Sequence, residues 1–205
     1  KGLDRLPGEA ANRIAYAHCA FNVAMALIFM PALGPLARAV STLVAVPAES
    51  QRELYGPRYI SASPTEGWAL ALGQSTREIM RVAEIVRGML QDLWQAVRTD
   101  DEALALAVSR RDDQVDLLDG EIKQYLARLS RLEGGQDEST EQMRQLGYLN
   151  ELENIGDIVD KNLSELAIKK IRKRIQFSEQ GWSELQNFYQ RVAENMLIAE
   201  TAFNR

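Results

Sequence analysis

Apolar residues recur at alternating spacings of three and four through most of this chain, which is the period of an amphipathic α-helix. Four such segments cover about 66–98, 100–132, 138–175 and the stretch from Ser178 onward. No segment alternates apolar and polar residues for long enough to indicate a strand. Helices of roughly 30 residues with short connections pack as antiparallel neighbours. This region is therefore predicted to be an all-α bundle of long antiparallel helices.

Local signals predict where these helices begin. Thr65 is expected to cap the first helix, with Glu66 in its first turn. Gly134 and Gly135 are expected to end the second helix, with Asp137 or Ser139 as the next cap. Residues 47–65 show no sustained period and include three prolines, so they are predicted to be a linker.

The chain before this linker has a different pattern. The run IAYAHCAFNVAMALIFMPALGPLA, residues 14–37, contains no Asp, Glu, Lys or Arg. As one helix it would cross roughly 30 Å of hydrocarbon, so residues 1–46 are predicted to hold a terminal, transmembrane-like segment. Two other interpretations stay open: a buried central helix of a soluble protein, or two shorter helices broken at Pro31 and at Gly34-Pro35.

Two polar residues interrupt the apolar run. His18 and Asn22 lie four residues apart and share one helix face. Polar side chains at membrane depth usually face a protein interior or a water-filled path. A place on a transport path and a hydrogen-bonded packing pair are both compatible with this spacing.

Composition limits the class of protein. The chain has 205 residues and a formal net charge of -5, which argues against a nucleic-acid partner. Cys19 is the single cysteine, so an internal disulfide is excluded and a reducing compartment is favoured. Because the sequence begins with Lys1 and stops at Arg205 inside an apolar-periodic stretch, it is expected to be a piece of a longer protein.

Two columns of carboxylates stand out on the second and third predicted helices. Their members are Asp112, Asp116 and Asp119 in one column, and Glu153, Asp157 and Asp160 in the other. Both columns have the spacing i, i+4, i+7, and each residue follows an apolar-seam position by one: Arg111, Val115 and Leu118, and Leu152, Gly156 and Val159. Each column is therefore predicted at the margin of a buried face, where two packed helices would bring the columns together.

Converging carboxylates repel one another unless cations neutralise them. Oxygen ligands suit Mg²⁺, Ca²⁺ or Mn²⁺, and an all-carboxylate cluster also holds iron. Together with zinc, which carboxylates also bind, these are the candidate metals: Mg, Mn, Fe, Zn and Ca. No histidine accompanies the columns, which disfavours a di-iron enzyme. Gly156 would let a facing helix approach closely. The alternative, ordinary solvated acidic residues, stays open.

The stretches DDQVDLLDGEI and LENIGDIVDKNL resemble the two acidic signatures of PhoU-like domains. That resemblance implies paired three-helix bundles that bind multinuclear metal clusters. It assigns the first motif to Asp112 and Asp116 and the second to Glu153 and Asp157, with Asp113, Asp119 and Asp160 as additional candidates. It implies a three-helix bundle over 66–175 and the first helix of a second, incomplete bundle over 178–205. Asn154 departs from the family's usual arginine.

The apolar run is similar to the last membrane segment of bacterial sodium/phosphate cotransporters of the type II-related family. The matching positions are His18, Phe21, Asn22, Pro31, Pro35, Leu36 and Ala37. The resemblance implies a place in the bacterial inner membrane, with residues from about 47 onward cytoplasmic. It also implies the rest of the transporter membrane domain, inorganic phosphate and sodium as partners. That family's paired Gln-Ser-Ser repeats are absent from this sequence, so its phosphate and sodium sites cannot be placed here.

A basic cluster, KKIRKR, spans Lys169 to Arg174 at the end of the third helix. Cations there interact favourably with the helix C-terminus. Contact with anionic lipid headgroups, or with phosphate or an acidic partner, is the alternative.

The leading hypothesis is a non-enzymatic, sodium-dependent phosphate carrier with a cytoplasmic, metal-binding regulatory domain. The second is a soluble PhoU-like regulator of phosphate uptake and signalling, and the third is a carboxylate-bridged metalloenzyme. A homo-oligomer is compatible with each of them.

Overall fold

The computed structural model describes residues 15–27, 29–30, 35, 55–61, 67–131 and 135–204. The chain divides into two compact units, Lys1–Glu49 and Ser50–Arg205. The described residues form helices and turns and contain no strand, so the all-α prediction is confirmed.

In the first unit, residues 15–27 and 29–30 are helical, and His18 and Asn22 are exposed on this helix. None of the helices in the described part of the chain is both long and apolar enough to cross a membrane. Residues 14, 28, 31–34 and 36–37 of the apolar run lie outside the described residues, and so do Pro31 and Gly34 of the predicted breaks. The terminal membrane segment therefore stays a prediction.

The second unit contains the four predicted amphipathic helices. Helix α1 is Trp68–Thr99 and α2 is Glu102–Leu129. Helix α3 has α-helical parts at Gln136–Asp157 and Glu165–Arg172, joined by a π-helical segment at Ile158–Ser164. Helix α4 is Glu179–Phe203. The helix starts can be compared with the capping signals read from the sequence.

Side-chain caps open two of the helices. Asp101 accepts a hydrogen bond from the Leu104 amide at the start of α2, and Ser178 accepts one from Gly181 at the start of α4. The cap predicted for α3 is wrong: the helix begins after Gly135, in extended backbone, so Asp137 already lies in its first turn. Ser139 is likewise inside α3, and its hydroxyl donates to the Gly135 carbonyl. The predicted cap of α1, Thr65, and Glu66 after it lie outside the described residues.

Helices α1, α2 and α3 form a three-helix bundle. Hydrogen bonds join α1 and α3 near the start of both helices, from Ser75 to Gln145, and near the end of both, from Lys170 to the Val97 carbonyl. The two helices are therefore parallel, and α2 returns between them. The fully buried side chains of the core include Ile79, Val82, Val86, Met89, Val115, Leu118, Ile122, Leu126 and Leu149. All of these residues except Leu126 belong to the apolar seams predicted from the sequence.

Helix α4 packs against α1 and α3. The ring of Tyr189 stacks on Trp94 of α1 with 4.7 Å between centroids, and Phe203 stacks on Tyr148 of α3 at 4.2 Å. Only Met196 and Phe203 are fully buried on α4. The assignment of 178–205 to a second bundle stays a prediction.

A buried carboxylate fixes the chain segment 55–61 onto α1. Glu78 is 0% exposed, and its Oε2 accepts hydrogen bonds from the amides of Arg58 at 2.8 Å and Tyr59 at 2.7 Å. Its Oε1 accepts one from Arg81 at 2.6 Å, and Arg81 also donates to the Gly56 carbonyl. Part of the predicted linker 47–65 is thus packed against the bundle through these polar contacts.

We expect Glu78→Ala to lower the free energy of unfolding by about 3–5 kcal/mol, because it leaves the largely buried Arg81 guanidinium without its counter-charge and two amides without their acceptor. Urea unfolding followed by circular dichroism measures this loss. Glu84→Ala removes an exposed carboxylate from the same helix and is expected to change stability by about 0.5 kcal/mol or less. Equal losses in the two variants would contradict a structural role for Glu78.

Candidate metal centre

The seam between α2 and α3 contains an acidic side chain where an apolar one was expected. Asp112 is 6% exposed and occupies the buried position between Val108 and Val115. The sequence placed Arg111 in this seam, which is wrong by one residue. Arg111 is instead exposed and forms an ion pair with Asp92 of α1, with 2.6 Å between Nη2 and Oδ2. The long arginine side chain reaches away from the seam, so the carboxylate at 112 faces α3.

Gly156 on α3 gives this carboxylate its room. A Cβ atom built at position 156 would lie 3.1 Å from Oδ1 of Asp112, 3.7 Å from Cγ1 of Val115 and 3.9 Å from Cγ2 of Val86. Any larger residue at 156 would press on the Asp112 side chain. The close approach predicted at Gly156 is confirmed, and the approaching group is a carboxylate of the facing helix.

Three carboxylates converge at this point. Asp112, Asp116 and Asp157 each offer one oxygen, and these three oxygens lie within 4.8 Å of one another. Oxygen ligands bind Mg²⁺ at about 2.0–2.1 Å and Ca²⁺ at about 2.3–2.6 Å, so two ligands of one ion are at most about 4–5 Å apart. The separation of the three oxygens therefore suits a single shared cation. The predicted meeting of the two columns occurs at these three members.

The other predicted ligands have different surroundings. Glu153 is not within this group; it lies one turn before Asp157, partly exposed. Asp113 is exposed, and Asp160 accepts a hydrogen bond from the Ser109 hydroxyl. Asp119 pairs with Lys123 through Oδ2 at 2.8 Å. The roles of these four carboxylates as ligands stay predictions.

Asp119, the third member of the column on α2, has a buried carboxylate oxygen. Oδ1 of Asp119 is buried and has no hydrogen-bond partner within the described part of the chain. Asp119 follows Asp116 by three residues, so both side chains belong to one face of α2. Buried polar atoms are nearly always satisfied by protein groups, water or ions. Asp119 is not one of the three converging carboxylates, but its unsatisfied oxygen belongs to the same acidic face of α2.

The electrostatics show a local shortage of positive charge. Burial, followed by the charges of Asp116, Asp160 and Asp157, raises the pKa of Asp112 to about 6. Burial and then Asp157 also raise the pKa of Asp116. Lys161 pairs with Asp157 and opposes both shifts. Because both pKa values remain raised despite Lys161, one exposed ammonium does not balance the cluster.

The backbone of α3 changes form at the cluster. The π-helical segment Ile158–Ser164 begins directly after Asp157, and the Ser164 hydroxyl anchors its end by donating to the Ala105 carbonyl of α2 at 3.1 Å. The i, i+4, i+7 spacing applies to a regular α-helix, so it did not predict the change to π-helix after Asp157. Short π-helical turns inside α-helices occur often at functional sites. No residue pattern in IVDKNLS distinguishes this segment from ordinary helix.

The basic cluster of Lys169 to Arg174 lies elsewhere on the bundle and is partly engaged in it. Lys170 is buried, and its ammonium donates to the Val97 carbonyl and pairs with Asp100 at 2.5 Å. Arg172 pairs with Glu102 at 2.7 Å. These two cations join the end of α3 to the turn between α1 and α2. Lys169, Lys173 and Arg174 are exposed, and their contact with anionic lipid stays a prediction.

Comparison with known proteins places the cluster inside a recognised region. Residues 79–166 match the family model described as the PhoU domain, and this range contains all seven acidic candidates. The chain is 28% identical over 205 residues to the "Putative inorganic phosphate export protein YjbB" of Escherichia coli (strain K12), covering 98% of this chain. The protein of the same name in Salmonella typhimurium (strain LT2) is 26% identical over 201 residues. No solved structure matches the chain significantly.

These matches support a phosphate-related protein that contains a PhoU domain. The chain spans 37% of the length of the curated relatives it matches. The relatives' name includes no sodium dependence, so the likeness to sodium/phosphate cotransporters stays a prediction.

The raised pKa of Asp112 predicts how the stability of the metal-free protein depends on pH. Because folded Asp112 holds its proton more tightly than an unfolded aspartate, this group favours the folded state most at low pH. Its contribution falls as pH rises from 3.8, the ordinary value, through about 6. We expect Asp112→Asn to remove that fall and to raise the free energy of unfolding at pH 7.5.

The measurement is urea unfolding in EDTA at steps between pH 4 and pH 8. Asp113→Asn, which changes the exposed neighbouring carboxylate, is the matched control and should keep the wild-type profile. Parallel profiles for wild type and Asp112→Asn would show that Asp112 does not cause the pH dependence.

Proposed function

We propose that this chain is the part of a bacterial phosphate transport protein that contains its last membrane segment and a cytoplasmic, PhoU-like regulatory domain. The observation that carries this proposal is the relation, over 98% of the chain, to proteins named for inorganic phosphate export. The PhoU match over 79–166 supports a role for the bundle in phosphate homeostasis. The transporter is sodium-coupled and lies in the inner membrane, in keeping with the resemblance of residues 14–37 to cotransporter segments.

The bundle binds a metal ion through Asp112, Asp116 and Asp157. The three converging oxygens, on two packed helices, support this part of the proposal. The ion is a divalent or trivalent metal, Mg, Mn, Fe, Zn or Ca, because carboxylate oxygens bind all of these. When bound, it supplies the positive charge that the cluster lacks. Glu153 and Asp160 are available on α3 for further coordination.

The regulatory step concerns the fit of α2 against α3. Asp112 and Asp116 belong to α2, whereas Asp157 belongs to α3, so their mutual repulsion acts directly across the helix interface. Lys161 offsets part of this repulsion from the side of α3. Neutralising the carboxylates stabilises one packing of the two helices. The remainder of the transporter membrane domain responds to this packing of α2 against α3.

The remaining partners follow from the same proposal. Inorganic phosphate and sodium are the transported species; their transport sites cannot be placed in this sequence, because it lacks the paired Gln-Ser-Ser repeats. Lys169, Lys173 and Arg174 are exposed and form the part of the basic cluster that contacts anionic lipid. The transport protein also forms homo-oligomers.

Metal content tests the cluster directly. We expect the purified chain to retain metal through gel filtration, as measured by elemental analysis. The double substitution Asp112→Asn with Asp157→Asn should weaken binding by at least about 100-fold, because it removes one ligand from each helix. Asp113→Asn should retain the wild-type metal content. Metal that stays bound to the double variant would remove these carboxylates from the site.

Transport is tested with the full-length protein in membrane vesicles of both orientations. We expect phosphate flux to depend on a sodium gradient, and Asp116→Ala and Asp157→Ala to alter its rate or its response to metal by several-fold. Asp113→Ala is the control. Unchanged flux, metal content and regulation would contradict the regulatory role. A protein that stays in the supernatant without detergent and supports no flux would instead indicate the soluble PhoU-like regulator.

A further inference from the structure

A second charged feature lies on the side of α1 that is covered by segment 55–61. Two clefts of about 520 and 540 Å³ adjoin there and share Arg58, Arg81, Glu84 and Arg87 among their lining residues. Across both clefts, five arginines face only two carboxylates: Arg58, Arg77, Arg81, Arg87 and Arg111 against Glu84 and Glu200. The whole chain carries a net charge of -5. Glu78 and Asp92, which pair with Arg81 and Arg111 from outside the lining, reduce the excess at this arginine cleft to one positive charge, which is still opposite in sign to the charge of the whole chain.

Three of the five guanidinium groups are held in place by the protein. Arg81 is fixed by Glu78 and by backbone carbonyls of segment 55–61. Arg87 lies 3.1 Å from Glu200 of α4, through Nε, and Arg111 pairs through Nη2 with Asp92. A guanidinium has five N–H donors, and these single contacts leave donors of Arg87 and Arg111 available. The pairing orders the side chains without using up their hydrogen-bonding capacity.

The other positive charges of the cleft are unbalanced. Arg58 and Arg77 are exposed and have no carboxylate partner among the residues that the structure describes. In addition, Nε of Arg87 and Oε1 of Glu200 are both buried, and neither makes a hydrogen bond within the described residues, despite their proximity. The two atoms face each other in an ion pair whose geometry is not that of a hydrogen bond, and the Nη donors of Arg87 are not part of that contact.

Separate parts of the chain build the cleft. Arg77, Arg81 and Glu84 recur at helical spacing along one face of α1. The amide of Arg58 is bound by Glu78, which brings the residue over that face. Arg111 comes from α2 across Gly88, where a Cβ would lie only 2.7 Å from its Nη1. The missing side chain at Gly88 thus lets this guanidinium rest against α1.

We propose that the arginine cleft binds a phosphate oxyanion, either as a free anion such as inorganic phosphate or pyrophosphate, or as the phosphate of a lipid headgroup. The planar guanidinium fork pairs with two oxygens of one phosphate, so several arginines around a cleft favour phosphate groups with more than one negative charge. Ligand pockets commonly have volumes of about 300–1,000 Å³, which includes both clefts. The proposal depends on neither the acidic cluster nor the transport function.

The test is calorimetric titration of the purified chain with pyrophosphate, at constant ionic strength and in EDTA, so that metal in the acidic cluster cannot mediate binding. We expect the double substitution Arg58→Gln with Arg77→Gln to weaken binding by at least about tenfold, because each group provides charge-assisted hydrogen bonds. Both side chains are exposed and make no ion pair in the described structure, so the bundle should fold normally; circular dichroism checks this.

Two further variants separate a site from general electrostatic attraction. Arg191→Gln removes one exposed positive charge from α4, outside the cleft, and should leave the affinity unchanged. Glu84→Gln removes a lining carboxylate and should strengthen binding by about twofold or more, because like charges near an anion oppose it. An Arg191→Gln affinity as low as that of the double variant would overturn the proposal.

A vesicle arm distinguishes the two sources of phosphate. Flotation with phosphatidylcholine vesicles, with and without phosphatidic acid, measures binding to a lipid phosphate. If the protein binds phosphatidic acid vesicles but not pyrophosphate, and the double variant Arg58→Gln with Arg77→Gln loses the vesicle binding, the cleft is assigned to a lipid headgroup. Binding of pyrophosphate alone would assign it to a free anion. No binding of either probe would overturn the proposal.

Discussion

The buried carboxylate of Asp112 is the constraint around which the rest of the α2–α3 interface is arranged. It takes a seam position that an apolar side chain would otherwise fill, and it does so beside Asp116 and Asp157. Moving a carboxylate out of water costs several kcal/mol unless compensating charge or hydrogen bonds are present. The described residues offer Lys161 as the nearby cation, and it is exposed. Gly156 is the feature that makes this placement sterically feasible.

A second buried carboxylate in the same bundle shows the contrast. Glu78 is more deeply buried than Asp112, yet two amides and Arg81 satisfy its oxygens, and among the described residues no acidic group forms around it. Its surroundings are complete within the protein, which is what a structural role requires. Asp112 lies among like charges that the protein does not neutralise. The difference between these two sites, rather than burial itself, distinguishes a candidate metal ligand from a structural carboxylate.

The sequence alone predicted the features that depend on local periodicity. Four long amphipathic helices and the carboxylate columns follow from spacing, because a helix repeats regularly over many residues. Spacing alone did not show whether position 111 or position 112 is buried in the seam, because this depends on the ion pair that Arg111 forms with Asp92 of α1. The π-helical segment has no residue signature. The start of α3 at Gln136 was missed because Gly135 supplies extended backbone without a capping side chain.

The arginine cleft was missed for a related reason, and its construction bears on how the bundle works. Arg58, Arg77 and Arg111 come from three segments that are joined only in the folded protein. Arg111 and Asp112 are consecutive on α2, yet one faces α1 across Gly88 and the other faces α3 across Gly156. Any shift or rotation of α2 that accommodates an ion at Asp112 therefore displaces Arg111 at the cleft. If an ion and an anion each favour one position of α2, linkage requires each to change the affinity for the other by the same factor.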